Sequence, residues 1–171
     1  MKTPLCDFCL RSGVLCPRCQ EKARLGEISE TDVEVAKLLL GLQDKYPSLQ
    51  KISFYKAHKA DGVLAILVAT GDLPHLLGYG GKILREIAQK TGRNVRILEK
   101  GGDIRKFIED LLAPVNVVSL NTIWLPDETT ETKVIIAGHS RRLPIDIKTL
   151  KELTSNIYGK TIRVEFERQR R

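Results

Sequence analysis

No apolar run in this 171-residue chain approaches the ~20 residues that a membrane span requires. The opening stretch, MKTPLCDFC, has no apolar h-region, so no secretory signal is expected and a cytoplasmic protein is the default. Paired acids, a nucleophile beside a base and an open metal site are all missing from the pattern. Neither an enzyme nor a small-molecule substrate is therefore expected. Acidic residues are outnumbered, 21 against 28 Lys and Arg, which leaves a net charge of +7 and a pI of about 9.3. That balance suits a polyanionic partner, or is simple solubility; charge alone does not decide. Cysteine is absent after residue 19. Apolar residues make up 42% of the chain, enough to build a core and to exclude global disorder. The length suits one ordinary domain or two small ones.

The four cysteines, Cys6, Cys9, Cys16 and Cys19, form C-x2-C-x6-C-x2-C. Two CxxC pairs put four sulfurs within reach of one tetrahedral ion, and the reading is a structural Zn2+. A cytoplasmic setting disfavours disulfides, and the spacing matches neither common ferredoxin pattern. With four ligands from the chain, no position stays open for catalysis. Gly13 and Pro17 suit the turns between and within the pairs. Arg11, Arg18, Lys22 and Arg24 flank them. The x6 gap is shorter than in usual zinc ribbons, and residues 1–27 are read as a small knuckle or ribbon.

Residues 29–46 read as a helix capped by Ser29, with Asp32 in its first turn and Pro47 ending it. Val35, Leu38, Leu39 and Leu42 share one face. KISFYKAH (51–58) alternates like a strand, and Lys59 to Gly62 is a hairpin signal. VLAILVAT (63–70) is apolar enough for a covered central strand. Asp72 caps a short helix that runs into LLGYGGK. A helix over 83–92 stops at Gly92, and 93–98 is a strand. After Gly101-Gly102 the order partly recurs: helix 103–113, strands 115–125 and 132–138 about a turn at Pro126-Asp127, helix 146–159 and strand 160–167. LREIAQKTG-RNVRIL aligns with LKELTSNIYG-KTIRVEF, an internal repeat of about 67 residues.

The glycine cluster at 78–81 marks a conformation or close approach that a Cβ would block. A Walker loop fails at Leu76 and Ile83. A dinucleotide fingerprint fails for want of a glycine at 83 and of a strand just before the loop. What remains is GxxG between two helices, the arrangement with which KH domains clamp about four nucleotides. The order αββααβ and the stretch LGYGGKILREIAQKTGRNVRI resemble the type II KH repeats of NusA-family transcription factors, archaeal NusA-like proteins in particular. The resemblance covers roughly residues 29–168. It implies an α+β protein: the cysteine unit (1–27), a type II KH domain (28–100), a degenerate KH-like domain (101–168) and a basic tail (169–171). Gly78, Tyr79, Gly80 and Gly81 would be the clamp, Lys82 and Arg85 would face phosphates, and Arg93 and Arg96 would line the groove. Tyr79 either stacks on a base or covers the loop. In the second unit Pro144-Ile145-Asp146-Ile147 replaces the loop, and HSRRLP is too short for the first helix of the pair.

The function so implied is single-stranded RNA binding on nascent transcripts, in elongation or termination, with RNA polymerase as a possible partner. The alternatives are a ribosome-associated or RNA-processing factor, and a protein–protein adaptor with a vestigial loop. Residues 133–171 carry ten Lys or Arg against four acids, and 101–132 two against six. Arg141, Arg142 and the tail Arg168, Arg170 and Arg171 are read as a phosphate-contacting patch. His58, His75 and His139 are isolated, and Trp124 is expected to cover a core edge.

Overall fold

Each CxxC pair opens a short helix. In the computed structural model, which describes residues 1–138 and 142–167, α1 spans Asp7–Ser12 and α2 spans Pro17–Arg24. Helices thus stand where a ribbon would have strands. Pro17 occupies the first position of α2, where a missing N–H loses nothing, and Gly13 takes φ 76° to end α1. Leu5, Cys9, Leu10 and Cys19 are buried in one apolar cluster with Ile28, Val35 and Leu39. The cysteine segment therefore belongs to the first of two compact units, Met1–Gly101 and Gly102–Arg171.

In the first unit, α3 (Glu30–Leu42) opens on a capping box. Ser29 Oγ accepts from the Asp32 amide at 3.1 Å, and Asp32 Oδ2 accepts from the Ser29 amide at 2.8 Å. Asp32 is fully buried, and its Oδ1 also accepts the Ala57 amide at 2.6 Å, tying α3 to the next strand. The helix ends before the expected Pro47. Gln43 donates to Leu40 and tightens the last turn, buried Tyr46 follows, and Pro47–Lys51 form a 3₁₀ turn. β1 (Phe54–Ala60) and β2 (Val63–Val68) are antiparallel about Asp61-Gly62, both at positive φ. Asp72 does not cap with its side chain; its Oδ2 accepts the Ser53 amide at 2.6 Å instead. α4 (Leu73–Leu77), the glycine loop and α5 (Lys82–Thr91) lead to β3 (Asn94–Glu99), parallel to β2. The sheet order is β1-β2-β3. Leu64, Ile66 and Val68 of β2 and Ile97 of β3 join Leu39, Leu76, Ile83 and Ile87 in the core.

The second unit runs α6 (Ile104–Leu112), β4 (Val117–Trp124), β5 (Thr130–Ile136), α7 (Ile147–Tyr158) and β6 (Ile162–Phe166). Its sheet, β4-β5-β6, has the same sense as the first: an antiparallel pair, then a parallel one. Phe107, Ile108, Leu111, Val134, Leu150 and Leu153 are buried. Asp146 is the N-cap of α7, its carboxylate accepting from the Thr149 amide at 3.2 Å; the Thr149 side chain first, and this amide after it, hold the Asp146 pKa below the usual value. Trp124 departs from expectation: it is 76% exposed at the end of an edge strand and covers no core. Lys133 and Arg163 pair with Glu165 and Glu131 across β5 and β6, at 2.8 and 2.9 Å. Arg142, Lys148, Lys151 and Lys160 are exposed. His139, Arg141 and the tail Arg168, Arg170 and Arg171 lie outside the described residues. No helix among the described residues is long and apolar enough to cross a membrane.

Candidate nucleic-acid interface and metal centre

Cys6 and Cys16 are the N-caps of α1 and α2, and Cys9 and Cys19 sit three residues on, in the same first turns. Residues three apart share a helix face, so each pair presents two sulfurs together. The four Sγ atoms lie within 4.8 Å of one another, with Cys6 to Cys9 at 3.3 Å and Cys6 to Cys16 at 3.9 Å. Four sulfurs at about 2.3 Å from a zinc ion stand about 3.8 Å apart. A disulfide needs about 2.05 Å, and all four thiols are free. Helix amides favour thiolate here. The Cys9 backbone N–H lowers the Cys6 pKa, and the Cys19 backbone N–H leads in lowering Cys16 to about 7. Cys9 accepts the Cys16 amide at 3.0 Å, which works to lower its pKa. Burial and the neighbouring sulfurs outweigh that bond and push Cys9 to about 12. The sulfurs cannot all ionise side by side unless a cation is among them, and this donor set fits zinc.

The glycine loop makes a left-handed turn. Tyr79, Gly80 and Gly81 have φ of 57°, 64° and 73° in succession, a run that L side chains resist. A Cβ at Gly80 or Gly81 would meet nothing within 4 Å, so the outward side of the backbone is open. At Gly78 a Cβ would touch the Pro74 carbonyl at 3.4 Å. Leu76 and Ile83, both fully buried, anchor the two ends. Arg85 donates to the Gly80 carbonyl at 2.6 Å and braces the turn from α5. Lys82 is exposed at the first position of α5, beside amides that carry the positive end of the helix dipole. Tyr79 is 52% exposed, and its ring packs at 58° on Tyr46, centroids 5.3 Å apart. It therefore covers part of the loop's base while leaving half its surface free.

The support beneath Tyr79 escaped the sequence reading. Tyr46 donates to Glu86 Oε2 at 2.9 Å, and Lys45 reaches the same oxygen at 2.7 Å. The Lys45 ammonium and the Tyr46 hydroxyl hold the Glu86 carboxyl below its usual pKa. These partners lie some forty positions apart in the chain, so no local spacing announces them.

Arg93 and Arg96 do not join the loop. Arg93 follows the stop glycine Gly92, past the far end of a ten-residue helix about 15 Å long. Arg96 lies in register with Ala65, on the face opposite Val95 and Ile97, which point into the core. It is half-buried, and burial lowers its pKa. His75, in α4, is half-buried and its carbonyl accepts from Ser48 at 2.9 Å. Burial lowers the pKa of His58 on β1.

No protein-family model matches the chain. It is 34% identical over 65 residues to a "Probable transcription termination protein NusA" of Methanocaldococcus jannaschii, covering 38% of this chain and 34% of that protein. It is 25% identical over 81 residues to a protein of the same name from Methanococcus vannielii, covering 47% of this chain and 45% of that one. The matched segments thus span between a third and a half of those relatives. Among solved structures, the crystal structure of APE1850 superposes with a TM-score of 0.49 at 17% identity, covering 75% of this chain and 96% of that one. The sequence matches support a NusA-like relationship over part of the chain.

Proposed function

We propose that the protein is a NusA-like, single-stranded RNA-binding factor that acts on nascent RNA in transcription elongation or termination, and that it is not an enzyme. Its first unit reads as a type II KH domain, with Gly78 to Gly81 as the clamp and Lys82 as the phosphate ligand beside it. The observation that carries this is the exposed left-handed turn at Tyr79, Gly80 and Gly81, open on its outer side and set at the N-terminus of a ten-residue helix. A sugar-phosphate chain can approach that backbone more closely than any loop with side chains would allow. The two NusA relatives lend the transcription role. The second unit reads as a KH-like partner without a clamp, since Asp146 caps α7 where the first unit has glycines. The cysteines hold structural zinc.

Binding of labelled single-stranded RNA across a salt series tests the clamp, with wild type beside Gly80→Asp. Asp tolerates positive φ better than most residues and meets no atom there, so the fold should survive while the carboxylate repels phosphate. Loss of most affinity supports the clamp; equal affinity and salt slope would overturn it. A second reading, a protein-docking adaptor, is favoured by Trp124 at 76% and Val118 at 42% exposure on edge strand β4. Absence of RNA binding by both proteins would favour it.

A further inference from the structure

The far end of α5 holds a pocket that the clamp does not use. It has a volume of about 330 Å³ and opens between α3, the β1–β2 hairpin and the end of α5. Val35, Leu38 and Leu64 line it with apolar surface, and Lys59, Lys90 and Arg93 add three cations against one acid, Glu34. Glu34 pairs with Lys59, and the Arg93 guanidinium has no partner among the described residues. A pocket that was only apolar would fit a neighbouring side chain. A patch that was only cationic would be a solvated face. The combination fits a flat apolar ring that carries a phosphate.

The pocket is also joined to the clamp. Lys82, Glu86, Gln89 and Lys90 follow at spacings of four, three and one, which keeps them on one flank of α5, and Arg93, just past the stop glycine, lines the same pocket as Lys90. A shallow groove of about 400 Å³ runs along this flank past Lys82, Arg85 and Gln89 to Lys90. Lys90 lines both the groove and the pocket. The one acid on the way, Glu86, is engaged by Lys45 at 2.7 Å and by Lys90 at 4.0 Å. This track lies on the α3 side of the helix, and a strand held at the loop can follow it for the length of α5, about 15 Å.

We propose that this pocket seats a nucleobase of the same RNA strand, a few nucleotides from the loop, with its phosphate between Lys90 and Arg93. The Glu34 carboxylate accepts from an exocyclic amine, so cytosine is taken in preference to uracil, which has none. The inference rests on the clamp reading for its strand and on the pocket for its base.

Two measurements on the full chain test it. Cytidine monophosphate, uridine monophosphate and inorganic phosphate are titrated while backbone amide shifts are read. Cytidine monophosphate should move Thr91 and Arg93, uridine monophosphate should bind roughly tenfold more weakly, and phosphate should do little. Equal shifts with phosphate alone would reduce the pocket to an anion patch, and no shifts would remove it; either overturns the proposal. RNA of about four and about eight nucleotides is then compared. Wild type should gain roughly tenfold with length. Lys59→Ala should lose that gain yet keep the affinity for short RNA. Glu34→Gln should lose the preference for cytosine. An unchanged gain in Lys59→Ala and an unchanged preference in Glu34→Gln would each count against the pocket. Failure of wild type to bind short RNA would overturn the clamp alone, because mononucleotide shifts at Thr91 report the pocket separately.

Discussion

The buried Asp32 carboxylate accepts from two backbone amides: that of Ser29, closing the capping box of α3 whose other bond runs from the Asp32 N–H to Ser29 Oγ, and that of Ala57, tying β1. Asp32→Ala keeps the Ser29 Oγ cap but removes the reciprocal bond to the Ser29 amide, worth about 1 kcal/mol, and leaves the Ala57 amide without its partner, worth about 2 kcal/mol more. Urea unfolding should show a loss of about 3 kcal/mol; a loss under about 1 kcal/mol would mean that water or rearrangement replaces both bonds. Glu86 governs a different condition. Its folded pKa lies below the ordinary 4.5, because Lys45 and Tyr46 bond to the charged form. Its stabilising effect is therefore present above pH 4.5 and fades as pH falls through the folded value. Glu86→Gln should flatten the acid side of the urea midpoint against pH and leave the fall below that window to other carboxylates. An unchanged acid limb would remove Glu86 from the support of Tyr79.

The element that matters most is the turn between α4 and α5. Three successive positive φ values cost a side-chain-bearing residue about 1–2 kcal/mol each, and the chain meets this with glycine at two of them. Tyr79 bears the strain because its ring gains Tyr46 as a neighbour. Gly81→Val should lower stability by about 1–2 kcal/mol and weaken RNA binding by more than that loss explains, because the branched side chain also stands where the ligand backbone would pass. A stability loss with unchanged RNA affinity would argue that the ligand avoids the turn. The helices α1 and α2 follow the same economy of local signals: each begins on a cysteine whose extended φ and ψ suit an N-cap.

For the whole molecule, the cysteine centre and the first unit share one core. Cys9 and Cys19 are 1% and 3% exposed and belong to the cluster that includes Leu39 and Ile66. Stripping a bound metal with a chelator should therefore loosen more than the first 24 residues: amide exchange should speed up along α3, which α1 packs against through Lys37 and Gly13. Amides of the second unit's sheet should keep their protection. Exchange confined to α1 and α2 would show that the centre folds on its own.

The sequence by itself determined the element order, the chelating spacing of the cysteines, the place of the glycine turn and the repeat behind the two sheets of equal sense. Those are local facts: periodicity, caps and stop glycines act over a few residues, and they located the helices and strands from α3 onward but not α1 and α2. Three things were decided only by tertiary structure. Packing of Cys9, Leu10 and Cys19 against α3 made the cysteine segment part of the first core. Trp124, a residue whose type suggests burial, came to lie exposed, because a strand's end is covered or bare according to what packs on it. The site residues were sorted likewise: the loop, Lys82 and Arg85 came together, Arg93 was carried to the far end of α5 and Arg96 to the other face of the sheet. The supporting Lys45, Tyr46 and Glu86, and the pocket of Glu34, Lys59, Lys90 and Arg93, unite positions far apart in the chain. Such groupings arise from how helices and strands pack, and no spacing in the sequence records them.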